Sequence, residues 1–286
     1  MHPAELAVNS YLIGATKGTN KPMSESTIEQ VGDEIKAALT RQFGGNGQRG
    51  DFRLRMSNLG RPACQLWYDK NEPEGAEPFP TTFVMNMMIG DIVESVFKAI
   101  LTESGVAWEK PEKVKLELEN DTINGEYDII IDGKLDDIKS ASNWSYTNKF
   151  ESYEALAEHD DFGYVSQLAG YAKAKGVPVG GWWVINKANG HFKYIKAEMD
   201  LDKEIATIQQ TVDTVNTNVF KRCGEAIPET FRKVPSGNYI LDRFGVCGWC
   251  KYKWKCWKTL DERPSEVSQA KNLPMVYYVE PDKEAY

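Results

Sequence analysis

Apolar residues recur at helical spacing in four stretches of the chain. The predicted helices cover residues 26–43, 82–104, 162–175 and 201–223. Thr81 is the candidate N-cap of the second helix, and Asp161 is the candidate N-cap of the third. Residues 1–25 lack a clear pattern and are predicted to be loosely ordered. The glycine-rich stretch 44–50 is predicted to end the first helix as a flexible linker.

Alternating or short apolar runs predict five strands between these helices. They cover residues 114–119, 127–131, 135–140, 182–185 and 192–197. The turn Asp132-Gly133-Lys134 joins the second and third strands and predicts a hairpin. This order of elements predicts an α/β core with mixed strand pairing. We expect a helical extension over 1–50, a main domain over 51–263 and an acidic tail over 264–286.

Composition and charge narrow the class of protein. With 286 residues, 41% of them hydrophobic and 27% charged, the chain is typical of a globular protein. No apolar run approaches the ~20 residues that cross a bilayer, so we expect a cytoplasmic protein with no membrane partner. The net charge of −8 argues against a broad nucleic-acid surface, although residues 221–263 carry ten basic and five acidic side chains.

A carboxylate lies on the apolar stripe of the second predicted helix. The stripe consists of Met87, Gly90, Glu94, Phe97 and Leu101, at spacings of three and four. Burying an unpaired carboxylate costs several kcal/mol unless it is paired or binds a metal ion. Glu94 is therefore a candidate metal ligand, and a salt bridge at the edge of the core is the alternative.

The predicted hairpin adds further charged residues. Strand alternation places Asp137 and Lys139 on one face and Ile138 on the other, and the turn brings Asp128 near them. Clustered carboxylates bind Mg²⁺ or Mn²⁺, which can activate a phosphodiester for hydrolysis. A nearby lysine can stabilise the charge that develops. The alternative is a solvated Asp-x-Lys on an edge strand.

These residues belong to a longer motif series. Gly90-x-x-x-Glu94, Gly125-x-x-Asp128, Asp137-Ile-Lys139 and Gln167-x-x-x-Tyr171 follow one another along the chain. The series resembles that of PD-(D/E)xK nucleases and is most similar to RecB-like and Cas4-like exonucleases. The resemblance implies a restriction-endonuclease-like core, a mixed central sheet flanked by helices, that hydrolyses DNA at ends or in single strands.

The resemblance also implies roles for individual residues. Glu94, Asp128, Asp137 and the backbone carbonyl of Ile138 would bind Mg²⁺ or Mn²⁺, with these three carboxylates and Lys139 as the catalytic groups. Gln167 and Tyr171 would bind substrate. Many members carry histidine where this chain has Glu94, which alters the expected metal preference.

Three cysteines form a second cluster. Cys247, Cys250 and Cys256 have the spacing Cys-x₂-Cys-x₅-Cys, which indicates metal binding, and either Cys64 or Cys223 could supply a fourth ligand. Cas4-like nucleases are similar in having one cysteine before the core and three after it, around a [4Fe–4S] cluster. This resemblance implies Cys64 as the fourth ligand and leaves Cys223 outside the set. A four-cysteine zinc site is the alternative.

Lysines and aromatic residues alternate through this cysteine segment. In order they are Lys251, Tyr252, Lys253, Trp254, Lys255 and Trp257. The pattern suits contact with phosphates and bases, and it makes Lys251 and Lys253 candidate substrate-binding residues. Alternatively, the aromatic rings shield the cluster from water.

The sequence as a whole therefore predicts a metal-dependent DNA exonuclease from a bacterial or phage-infected cell. A recombination or replication protein is a candidate partner. The alternatives are a structure-selective endonuclease of the same fold, a non-catalytic zinc-stabilised DNA-binding module and an electron-transfer iron–sulfur protein.

Overall fold

The computed structural model describes residues 2–44, 52–242 and 245–280. The helices are α1 Pro3–Thr16, α2 Glu25–Phe43, α3 Ala63–Asn71, α4 Thr82–Glu103, α5 Asn143–Thr147, α6 Tyr153–Glu158, α7 Tyr164–Lys175, α8 Leu201–Thr217 and α9 Lys253–Cys256. The strands are β1 Trp108–Glu109, β2 Lys113–Glu117, β3 Thr122–Glu126, β4 Ile129–Ile131, β5 Lys134–Ala141, β6 Val179–Asn186, β7 Phe192–Lys196, β8 Ala226–Phe231, β9 Val234–Leu241, β10 Asp261–Pro264 and β11 Met275–Val279. Within the described ranges, the helices are too short or too polar to cross a membrane.

The chain divides into two compact units. Among the described residues, the first unit holds 2–44, 54–60 and 80–210, and the second holds 52–53, 61–79, 211–242 and 245–280. This division differs from the predicted extension, main domain and tail. Helices α1 and α2 pack on α4 inside the first unit, and β11 forms a strand within the predicted tail. The predicted linker lies almost entirely outside the described residues.

The first unit is built on a mixed five-stranded sheet of order β1-β4-β5-β6-β7. Strands β5 and β6 are parallel and the other pairs are antiparallel. Ile138 and Trp183 point to one face, where they pack with Phe97 and Leu101 of α4 and Val8 of α1. Helix α7 contacts β5 and β6. The prediction of an α/β fold with a mixed sheet flanked by helices is confirmed.

The N-terminal segment is more ordered than predicted. Residues 3–16 form α1, and Val8 is fully buried. The side chain of His2 caps the helix by accepting a hydrogen bond from the backbone N–H of Ala4 at 3.2 Å. The prediction of loose order was wrong because α1 presents only two buried side chains, Ala4 and Val8, and so lacks a strong period.

Other helix boundaries differ slightly from the prediction. Helix α8 ends at Thr217, before the predicted end at Cys223. Helix α7 begins at Tyr164, and its first N–H groups are satisfied by Asp160 instead of Asp161. The two carboxylate oxygens of Asp160 accept from the N–H groups of Tyr164 and Val165, each at 2.8 Å.

The second unit contains an antiparallel four-stranded sheet of order β10-β11-β9-β8. One apolar cluster joins Tyr68 of α3 to Cys250 and Tyr252. Another contains Leu241 and Trp257. Residues 61–79 are far apart in the sequence from 211–242 and 245–280, and these segments share a core.

Candidate functional site

Strand β5 presents an acid and a lysine on one face. Asp137 is 3% exposed, and Nζ of Lys139 lies 2.9 Å from its Oδ1 and 2.7 Å from its Oδ2. Only the contact with Oδ1 has hydrogen-bond geometry, so the buried Oδ2 accepts no hydrogen bond from the described residues. Ile138, between them, is buried in the core on the opposite face, as strand alternation requires.

Asp128 is held beside this pair. It immediately precedes β4, and the β4–β5 hairpin pairs Ile129 with Asp136. Oδ2 of Asp128 accepts a hydrogen bond of 2.9 Å from the backbone N–H of Ile138. The hairpin therefore brings the acid that precedes β4 to the middle of β5.

Helix α4 contributes Glu94, together with a lysine that the sequence analysis did not single out. Oε1 of Glu94 lies 2.5 Å from Nζ of Lys98, whose side chain is 5% exposed. The pKa of Glu94 is raised by its burial and by the negative charge of Asp128, while Lys98 and Lys139 oppose this effect. Spacing i, i+4 from Glu94 was the available signal for Lys98.

Electrostatics tie these groups together. Burial raises the pKa of Asp137 to about 7; Lys139 opposes the rise, and the charges of Asp128 and Glu94 add to it. Burial alone would lower the pKa of Lys139, but Asp137 and Asp128 raise it well above its ordinary value. Lys139 therefore stays protonated at neutral pH and can stabilise negative charge, but cannot act as a base.

Helix α7 contributes a polar face toward Lys139. Oε1 of Gln167 lies 3.4 Å from Nζ of Lys139, and Tyr171, one turn later, shares a hydrogen bond with Gln167. Burial raises the pKa of Tyr171 to about 12. The ring centre of Tyr164 lies 4.8 Å from the same Nζ. Tyr164 was missed, although its spacing of three from Gln167 places it on the same helix face.

Gly125 leaves space for the side chains of Tyr171 and Met56 because it has no Cβ. A Cβ at this position would lie 2.6 Å from Cε1 of Tyr171 and 2.5 Å from Cγ of Met56. Any larger residue would displace Tyr171 or the turn that carries Met56. The glycine of the Gly125-x-x-Asp128 motif therefore has a packing reason.

Asp136, on the opposite face of β5, was also missed. Its carboxylate accepts hydrogen bonds from the N–H of Gly181 at 2.7 Å, Nε1 of Trp183 at 3.1 Å and the hydroxyl of Tyr194 at 3.0 Å. Burial raises the pKa of Asp136 to about 6, against the effect of these hydrogen bonds. Asp136 thus ties β5 to β6 and β7 behind Asp137.

In the described residues, no group of three or more His, Cys, Asp or Glu side chains is arranged as a metal site. Lys139 and Lys98 instead neutralise Asp137 and Glu94. The donor set nevertheless has the chemistry of a hard-cation site, since it is oxygen-rich and the buried Oδ2 of Asp137 lacks a hydrogen bond. A divalent cation bound here would offset the mutual repulsion among the three carboxylates.

The three clustered cysteines lie in the second unit. Cys250 is buried, and Cys247 and Cys256 are half-buried. Burial raises the pKa of Cys250 to about 11, and Cys247 and Cys256 add to this effect. Burial also raises the pKa of Cys247, with a further contribution from Cys256. These thiols are close enough to interact, and a bound cation would favour their thiolate forms.

Helix α3 brings a fourth cysteine to the same region. Tyr68, one turn after Cys64, stacks on Tyr252 with ring centroids 4.9 Å apart and hydrogen-bonds with Cys256. Cys64 itself forms a disulfide with Cys223, and their Cα atoms are 5.7 Å apart. Cys223, which was predicted to stay outside the set, is therefore next to Cys64.

The lysines of this segment are engaged in ion pairs. The partners are Lys251 with Asp69, Lys253 with Glu77 and Lys255 with Glu72. The side chains of Lys251 and Lys253 are only 15% and 9% exposed, which departs from their predicted role as phosphate contacts. Tyr252 and Trp257 are buried, in keeping with the alternative that the rings shield the cysteines, whereas Trp249 is 71% exposed.

Comparison with known proteins identifies no family. No family model matches the chain, and no curated protein does. A solved structure titled "Crystal structure of SSO0001" aligns with 80% of this chain and 95% of its own, at 13% sequence identity and a TM-score of 0.41. A likeness this distant supports no argument on family or function.

Proposed function

We propose that the first unit is a divalent-metal-dependent deoxyribonuclease of the PD-(D/E)xK type, with a restriction-endonuclease-like core, that acts on DNA as an exonuclease. The observation that best supports this proposal is the Asp137–Lys139 ion pair on β5, with Asp128 hydrogen-bonded to the strand between them. Glu94 joins them from α4, so three acids and a lysine lie together. Burying so many charged groups would destabilise a core that had only a structural role.

Glu94, Asp128, Asp137 and the carbonyl of Ile138 would hold Mg²⁺ or Mn²⁺, which supplies Lewis-acid activation of the phosphodiester when bound. Lys139, which stays protonated, neutralises the charge that develops on the phosphate.

Helix α7 would position the DNA. Gln167 contacts Lys139, and Tyr171 contacts Gln167, so both residues can orient a phosphate beside the ammonium group. With a pKa of about 12, Tyr171 keeps its hydroxyl proton at neutral pH and can donate a hydrogen bond. Lys98 holds Glu94 on the other side of the site.

For the second unit we propose a structural metal centre with Cys64, Cys247, Cys250 and Cys256 as ligands. A [4Fe–4S] cluster is the first candidate and zinc is the second. The burial and mutual proximity of the thiols support a shared site, and a bound metal would hold them as thiolates against the effect of burial on their pKa values. Iron and acid-labile sulfide would identify the cluster in the purified protein, whereas one zinc per chain would identify the alternative.

The function is tested with labelled linear duplex and single-stranded DNA and a covalently closed circle, each with Mg²⁺, with Mn²⁺ or with a chelator. We expect divalent-dependent release of short products from the linear substrates and an intact circle. Cleavage of the circle would support endonuclease action instead. The Asp137→Asn protein should fail to cut, and unchanged cutting by it would overturn the assignment of the site.

A further inference from the structure

Cys64 forms a disulfide with Cys223, and Cys64 is also a ligand of the proposed metal centre. A disulfide sulfur is not a thiolate, so Cys64 cannot be paired with Cys223 and serve as a ligand at the same time. The structure thus shows one of two exclusive arrangements of Cys64. The other requires both thiols in the reduced form.

The loop that carries Cys223 lies directly on the cysteine centre. Nη2 of Arg222 donates a hydrogen bond of 3.0 Å to the carbonyl of Cys256, and its guanidinium stacks on Trp257 at 4.0 Å. On the other side of Cys223, a side chain at Gly224 would collide with Sγ of Cys247. These contacts hold Cys223 within reach of Cys64.

The two cysteine residues differ in their exposure to solvent. Cys64 is 6% exposed, whereas Cys223 is exposed. Both border a cleft of about 330 Å³, whose wall also includes the basic residues Lys221 and Arg222. Basic side chains beside an exposed cysteine attract anionic reagents to it.

We propose that Cys64 and Cys223 are an oxidisable dithiol that is opened and closed by exchange with small anionic peptide disulfides, and that closure withdraws Cys64 from the metal centre. The class of reagent is that of glutathione disulfide, whose carboxylates suit the basic wall of the cleft. The inference rests on the proposed metal–thiolate centre and is independent of DNA cleavage.

The exchange balances in two steps. The thiolate of Cys223 attacks one sulfur of the small disulfide, which forms a mixed disulfide and releases one small thiolate. The thiolate of Cys64 then attacks the sulfur of Cys223, which forms the internal disulfide and releases the second small thiolate. The two cysteines lose two electrons and two protons, and the small disulfide gains them as two thiols.

The test uses the full chain, reduced and loaded with zinc, and follows zinc release on addition of glutathione disulfide. We expect zinc release and a Cys64–Cys223 cross-link in the non-reducing peptide map. In the Cys223→Ser protein, zinc release should be about tenfold slower or more. In the Cys64→Ser protein, Cys223 should retain a bound glutathione because the second step is blocked.

Two disulfide reagents that differ in charge test the basic wall. Lys221→Glu should slow the reaction with glutathione disulfide about tenfold and leave the reaction with the uncharged hydroxyethyl disulfide unchanged. Equal zinc release from the wild-type and Cys223→Ser proteins would overturn the proposal, as would a cross-link between other cysteines. A reduced chain that binds neither zinc nor an iron–sulfur cluster would refute the centre and this proposal together, while the DNA assay separately decides the nuclease function.

Discussion

At the residue scale, the pairing of Lys98 with Glu94 determines how much the carboxylate on α4 lowers the free energy of unfolding. Lys98 is buried and Glu94 is partly buried, so each loses hydration and gains the other as a partner. Removing one partner leaves the other partly buried and unpaired. This destabilises the protein more than removing both partners.

We therefore predict that Lys98→Met lowers the free energy of unfolding by about 1–3 kcal/mol, and that adding Glu94→Gln recovers part of the loss. The range is modest because the Glu94 side chain is 32% exposed and partly screened by solvent. Urea denaturation of the two single variants and the double variant measures the coupling. Strictly additive effects would contradict the ion pair.

Single residues were predicted from the sequence where their type conflicted with the pattern around them. Glu94 on an apolar stripe and Asp137 beside Ile138 stood out in this way. Asp136 did not, because an acid next to another acid has no distinctive spacing, and its partners on β6 and β7 lie 45 to 58 residues away. Long-range partners of this kind follow only from the sheet register.

At the element scale, α1 is a helix that packs into the core although its sequence has only a weak hydrophobic period. Val8 and Ala4 enter the core formed with α4 and the central sheet, although most of the helix surface remains outside it. The prediction failed because a helix that buries a few small residues has little periodicity, whereas α4 and α7 bury more and were predicted to within two residues.

The burial of α1 can be tested with a matched pair of substitutions. Val8→Ala removes two methyl groups from a fully buried site and should cost about 1–2 kcal/mol. Leu6→Ala, on the same helix at 56% exposure, should change stability by less than about 0.5 kcal/mol. Equal effects in chemical denaturation would show that α1 is not packed as described.

Strand β8 carries a buried acid whose pKa should make stability depend on pH. Glu229 is 2% exposed, and its Oε1 accepts from the hydroxyls of Ser265 at 2.7 Å and Tyr278 at 2.8 Å. Burial alone would raise the pKa of Glu229, but these hydrogen bonds outweigh burial and hold it below 4.5. The ionised form is therefore favoured in the folded state.

A depressed acid pKa stabilises the protein above the unfolded-state value, and that stability is lost as the pH falls through the folded-state value. We predict that Glu229→Gln costs roughly 1–2 kcal/mol at pH 7, and that the difference from wild type shrinks progressively below about pH 4.5. Urea denaturation from pH 3.5 to 7 measures this difference. A difference that stays constant over this range would rule out the proposed ionisation effect.

At the scale of the whole molecule, the cysteine spacing was the best guide to organisation. One cysteine at 64 and three at 247–256 indicated that distant stretches meet. Among the described residues, 61–79 do share the second unit with 211–242 and 245–280. The ion pairs Lys251–Asp69 and Lys253–Glu77 help to join them. The unit boundaries could not be predicted, because they follow contacts between segments more than 130 residues apart.

The central claim is that Lys139 acts beside Asp128 and Asp137 in metal-dependent DNA hydrolysis. Single-turnover cleavage of linear DNA by two lysine variants of β5 tests this claim most directly. Lys139→Met should lower the rate by about 10²-fold or more, because the charge that stabilises the transition state is removed. Lys134→Met, an exposed lysine at the start of the same strand, should cut at the wild-type rate. A Lys139→Met protein that is folded and cuts as fast as the Lys134→Met protein would contradict the account.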